Sequence, residues 1–258
     1  MAVQHTGSST TGIVVSASGD TWYTREGYYV ASDVDGFDAG GFDNLEYFLE
    51  GDIFSGDDGI VASSGANNFD IVISANASVN AAGDGIQLFG DSLNDSGHDI
   101  VNYGSITGMG GEGVDVRASQ SSLTNNGSVT AYSVGVYFVG NNNRVVNRGD
   151  VSSEISSGIW LNGERASIVN SGSINAESEE SAVRVMGDEA EVVNTGILVG
   201  GTGISILNVN TAAIARNAGS IFAQEIGVLL TGSSEAAVLD FSNSGEILSF
   251  TFVFLDLL

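Results

Sequence analysis

Hydrophobic and polar positions alternate along this chain in short bursts. Ser173–Ala176 (SINA), Ala182–Val185 (AVRV) and Glu191–Asn194 (EVVN) place apolar residues singly or in pairs, and Gly, Ser, Asn and acidic residues separate such segments. Bursts of this length make strands, and no stretch carries the apolar stripe of period 3.6 that an amphipathic helix needs.

The bursts recur at a fixed interval. The phrase N-x-G-x-[I/V/L] starts at Asn102, Asn125, Asn147, Asn170, Asn194, Asn217 and Asn243, in steps of 23, 22, 23, 24, 23 and 26 residues. Weaker copies at Ala75–Val79 and Leu49–Ile53 bring the total to nine. Between the anchors lies a second phrase, G-apolar-x-apolar, at Gly85, Gly113, Gly135, Gly158, Gly203 and Gly227, with Ala182 standing for glycine in one copy.

Three strands and three turns in each repeat describe one coil of a solenoid. The predicted fold is therefore all-β: a single-stranded right-handed parallel β-helix of about nine coils of 22–24 residues, three strands per coil. Right-handedness follows from the strong bias of parallel crossovers. Stacked at strand spacing of ~4.8 Å, nine coils give a rod roughly 40 Å long.

Stacking turns sequence period into vertical columns. The seven anchor asparagines become a structural ladder whose amides bond to one another and to turn backbone. The glycine two places on answers either to a positive φ or to close approach between coils.

The pattern frays at both ends, which divides the chain into an irregular N-terminal cap or set of coils (1–44), solenoid repeats (45–247) and an apolar C-terminal strand (248–258). In that last segment Leu248, Phe250, Phe252 and Phe254 alternate with Ser249, Thr251 and Val253. Such a strand either folds over its own core as a lid or pairs with a neighbouring molecule. The second outcome makes Leu248, Phe250, Phe252 and Phe254 a self-assembly element and the rod a head-to-tail filament.

Composition narrows the partners. The net charge is -25, with no Cys, no Pro and seven cationic side chains, all arginine. That charge repels phosphate backbones and anionic lipid surfaces, so nucleic-acid and membrane-surface binding are disfavoured, and no membrane insertion is expected because no run approaches the length of a transmembrane helix. The N-terminus MAVQHTGSST lacks the basic and apolar regions of a signal peptide, so export is expected to use another signal or a trimmed precursor.

Candidate chemistry is sparse. Missing cysteine removes thiol nucleophiles and cysteine zinc sites; no G-x-S-x-G elbow is present. Asp33, Asp35, Asp38 and Asp43, with Gly36 among them, have a spacing that can wrap oxygen ligands around calcium, although the glutamate that closes a full EF-hand loop is missing. The middle position of the G-apolar-x-apolar phrase holds Gln87, Asp115, Tyr137, Trp160, Arg184, Ser205 and Leu229 in successive coils. Asp115, Tyr137, Trp160 and Arg184 form a candidate glycan-binding column, the alternative being Arg184 resting on Trp160 without any ligand. An ice-binding array is disfavoured by the mixed character of this column.

The recurring VVNxGxI and GVxL phrases, over about Leu45 to Ile247, resemble passenger domains of bacterial autotransporters and the β-solenoid regions of type I secreted calcium-dependent adhesins. The resemblance implies an exported protein that acts in adhesion, matrix formation or surface display. FVFLDLL resembles the uncleaved C-terminal export signals of type I substrates; an autotransporter barrel and tandem glycine-aspartate nonapeptides are not seen.

The expectation is a non-catalytic secreted or cell-surface solenoid, structural or adhesive, that assembles through its ends. It requires no cofactor, and calcium is the candidate ion. The alternative is a β-helix that binds or cleaves polysaccharide.

Overall fold

The computed structural model describes residues 3–89, 95–234 and 237–257, with His5 and 252–257 described as backbone only. Among the described residues there are 30 strands and no helix, every strand pairing is parallel, and the strands pile into a solenoid of about ten turns.

One coil shows the plan. Arg144–Asn147 lies on the first face, Asp150–Ser153 on the second and Ile159–Asn162 on the third. The first face is a ladder of eleven strands from Val3–Thr6 to Val238–Asn243. The second and third faces merge into one sheet because Ile197–Val209 and Ser220–Gly232 run through the corner as single 13-residue strands.

Register makes the core. On the second face Ile53, Val79, Ile106, Val129, Val151, Ile174, Leu198 and Ile221 stack as one buried aliphatic column. Each such side chain contributes about 1.5–3 kcal/mol by leaving water. The sequence alternates because every second residue enters this column while its neighbours face solvent.

The glycines after the anchor asparagines answer to close approach. A Cβ on Gly127, Gly149, Gly172, Gly196, Gly219 or Gly245 would overlap the carbonyl oxygen of the equivalent glycine one coil earlier. Left-handed backbone occurs elsewhere, at the turn leading into the first face, where Asn44, Asn68, Gln120, Asn142, Arg165 and Glu189 have φ between 54 and 61°, and at Asn208 near the end of Ile197–Val209.

Both ends join the stack. The N-terminal segment that looks irregular in sequence contributes Thr21–Thr24, Tyr29–Ser32 and Phe37–Asp38 in register with the coil above. Its core is aromatic: Phe37 stacks on Tyr47 at 4.0 Å between centroids and meets Trp22 edge-on at 5.8 Å. These rings stand where later coils use aliphatic residues, so the repeat phrase is hidden while the geometry persists. At the other end Thr251–Leu257 is the third-face strand of the last coil, with Leu229 opposite Phe254 and Leu230 opposite Leu255. It extends the stack and does not fold across its end as a lid.

Candidate functional site

The anchor asparagines form a continuous row, buried from Asn102 to Asn217 and exposed at Asn243. Asn102 Nδ2 donates to Asn125 Oδ1, and the same bond runs from Asn125 to Asn147, Asn170, Asn194, Asn217 and Asn243, each 2.7–2.8 Å long. The second amide hydrogen goes to main-chain carbonyls, for instance from Asn147 to Gly149 and Ser173. From Asn102 to Asn217 these amides are satisfied within the scaffold.

The third face carries the richest side-chain chemistry. Register places Gln87, Asp115, Tyr137, Trp160, Arg184, Ser205 and Leu229 in one column, as their spacing implies. Tyr137 and Trp160 lie 5.1 Å apart with planes tilted by 55°. The Arg184 guanidinium sits 4.4 Å over the Trp160 ring from the opposite side. Trp160 is thus flanked on both sides by its strand neighbours. Its Nε1 and the Nε of Arg184 are buried and have no partner.

Asp115 lies at the lower end of this column and is almost wholly buried. Arg117 Nη2 pairs with it at 2.9 Å while stacking 4.6 Å above the Phe89 ring. Burial pushes the Asp115 carboxyl up to about 6, against the opposing pull of Arg117.

Asp115 also approaches Asp84 and Glu112; carboxylate oxygens of the three lie within 4.8 Å of one another. Asp84 and Glu112 belong to a file of acids at the corner before the third face, each just ahead of the phrase glycine: Asp35, Asp58, Asp84 and Glu112. The three aspartates cap backbone N–H groups of the coil above, and Glu112 accepts from the Ser133 hydroxyl. Asp35 Oδ1 accepts from Asp58 N, Asp58 Oδ1 from Asp84 N and Asp84 Oδ1 from Glu112 N. Burial, reinforced by neighbouring acids, raises Asp58 and Glu112 to about 6.

These carboxylates can hold a proton near neutrality or face a cation. The sets with suitable geometry are Asp35, Asp57 and Asp58, and Asp84, Glu112 and Asp115. The sequence-based calcium set is distributed differently: Asp35 joins Asp57 and Asp58, Asp38 accepts from Gly40 N, Asp43 accepts from Asn67 N and Nδ2, and Asp33 borders a groove on the second face. The signal for the observed grouping was the coil offset, since Asp58 stands 23 residues after Asp35.

For acid–base chemistry the geometry is unhelpful. Asp115 is sealed behind Arg117 and Tyr137, while Asp84 is held by Gln87 Nε2 and the Glu112 amide. His98 is buried as well; its Nδ1 accepts from Phe69 N, and desolvation lowers its pKa to about 4.

At the C-terminal end Leu248 and Phe250 are exposed, Phe250 almost completely, and they border an open groove of about 600 Å3 with Ala223 and Glu225. The side chains of Phe252 and Phe254 lie outside the described residues. Comparison with protein-family models, with curated proteins and with solved structures found no match to this chain.

Proposed function

We propose that this chain is a non-catalytic, secreted or cell-surface rod, of the adhesive or matrix-forming kind, that associates end to end. The observation that carries the reading is the unbroken stack, in which the buried amide row and aliphatic columns run through the scaffold while the reactive side chains are tied into pairs and caps.

End-to-end association is supported by the last coil. Its inward-register residues Leu239 and Phe241 are only partly covered, and Leu248 and Phe250 extend the apolar surface. Asn243 is exposed and has one amide hydrogen without a ladder partner above it. In a head-to-tail contact that continued the register, the strand Val238–Asn243 would meet Val3–Thr6 and the Asn243 amide would face the Thr6 hydroxyl. Open strand edges pair readily in this way, and the contact is heterologous, so it propagates.

Electron microscopy and light scattering of the purified chain, with and without calcium, test the reading. Linear particles that lengthen with concentration, and that shorten in Phe250→Ser, are expected. A monomer at all concentrations in both conditions removes the association.

A further inference from the structure

We infer that the second face of the rod binds a neutral polysaccharide along a strip running from Phe54 through Asn80 and Met109 to Tyr132. This goes beyond end-to-end association and does not depend on it.

The strip stands out first by charge. The chain carries 32 acidic residues, yet the outward positions of the second-face strands from Asp52 to Asn175 are Ser, Thr or Asn at every place but Asp52, Phe54 and Asp150. Outward side chains here form straight ranks, because strand follows strand without a register shift. One rank runs Phe54, Asn80, Thr107, Thr130. Three strand spacings separate its ends, about 14 Å.

Apolar side chains line the same surface. Phe54 is 47% exposed, Met109 59% and Tyr132 43%. Met109 and Tyr132 are adjacent in the next rank, because Tyr132 N bonds to Gly108 O at 2.9 Å. Phe54, Asn80 and Met109 border an open groove of about 560 Å3, with Asp33 at its rim. Single exposed apolar residues are ordinary, but Phe54 and the adjacent Met109 and Tyr132 share one mostly hydroxyl- and amide-bearing face, whose acids, Asp52, Asp150 and Glu154, stand at its margins.

The chemistry selects the partner. Rings and a thioether offer surface to the C–H faces of sugars, and amide and hydroxyl groups offer both donors and acceptors to sugar hydroxyls. No cation lies on the strip to hold a polyanion, and the overall charge repels one. On the third face, by contrast, Trp160 is flanked by Arg184 and Tyr137, so a sugar would have to displace a neighbour to reach its ring.

The test is native affinity electrophoresis of the full chain through gels containing hydroxyethylcellulose, galactomannan or polygalacturonate. Retardation by at least one neutral polymer is expected. The double substitution Phe54→Ala/Tyr132→Ala should weaken it about tenfold or more, the size of effect that follows loss of a central aromatic contact. Trp160→Ala should leave it unchanged, and the Phe54→Ala/Tyr132→Ala variant should remain folded, checked by its thermal melt. The inference is overturned if neither neutral polymer retards the chain, if polygalacturonate alone does, or if retardation survives the double substitution. Loss of dimerisation or of ice-growth inhibition in the double variant, without any sugar binding, would assign the strip to a second copy of the chain or to an ordered water surface instead.

Discussion

Asn147 Nδ2 lies 2.8 Å from Asn170 Oδ1, and the two side chains, 23 residues apart in sequence, are both buried. Asn147 accepts from the coil below through the same amide group, so its loss strands a donor on Asn125 and an acceptor on Asn170. Asn147→Ala should therefore destabilise the fold by about 3 kcal/mol, more than a lone hydrogen bond contributes, because buried groups are left unpaired. Asn243→Ala, at the exposed end of the row, should cost about 1 kcal/mol or less. Denaturant titration of both variants measures the gradient.

Gly172→Ala is expected to be severe. The added methyl would overlap the Gly149 carbonyl oxygen, and backbone in two coils would have to part. A cost above about 3 kcal/mol, or failure to fold, should follow. Gly19→Ala makes the comparison, since that Cβ meets nothing within 4 Å and the only strain is its φ of 76°; about 1 kcal/mol is expected. Thermal melts distinguish the two mechanisms.

Glu189 occupies left-handed backbone with φ 54°, a conformation that asparagine tolerates better than glutamate. Its carboxylate pairs with Arg165 only at 3.8 Å and on the surface. Glu189→Asn should raise stability by about 0.5–1 kcal/mol, readable as a higher denaturation midpoint.

Stability should rise on mild acidification. Asp58, Glu112 and Asp115 are lifted to about 6 in the fold, so the native state binds their protons more tightly than the unfolded chain. Their contribution is complete below the ordinary carboxylate range near 4 and is lost as pH rises through 6. His98 acts in the opposite sense: its lowered pKa favours the neutral ring, a contribution present above 6.5 and lost as pH falls through 4. Three carboxyls against one imidazole predict a melting temperature higher at pH 5.5 than at pH 7.5, levelling off near pH 4. Asp58→Asn keeps the oxygen that caps Asp84 N and removes the charge, so it should be more stable than wild type at pH 7.5 and flatten the profile.

The stack was legible because it depends only on period. Asn170 and Asn194 become neighbours whatever the local turn geometry, and so do Tyr137 and Trp160. Where the sequence obscured the structure, a different residue type filled an equivalent place. Phe37 and Tyr47 hide the first coils because aromatic packing substitutes for the aliphatic column. Asp33, Asp35, Asp38 and Asp43 are close along the chain, but coil stacking groups Asp35 with residues from the next turn. The left-handed turn residues escaped notice because Arg165, Glu189 and Gln120 carry none of the glycine or asparagine signal that such backbone usually leaves in a sequence. The Phe54 groove was hidden too, since it joins residues from five successive coils and no linear motif spells it.

Every amide in the asparagine row points its hydrogen the same way, from Asn102 towards Asn243. The row therefore has an arrowhead. Reversing one member would set oxygen against oxygen on one side and hydrogen against hydrogen on the other, so no member can turn alone. Each turn's amide orientation is thus fixed by the turns above and below it, and the row carries one polarity along the whole stack.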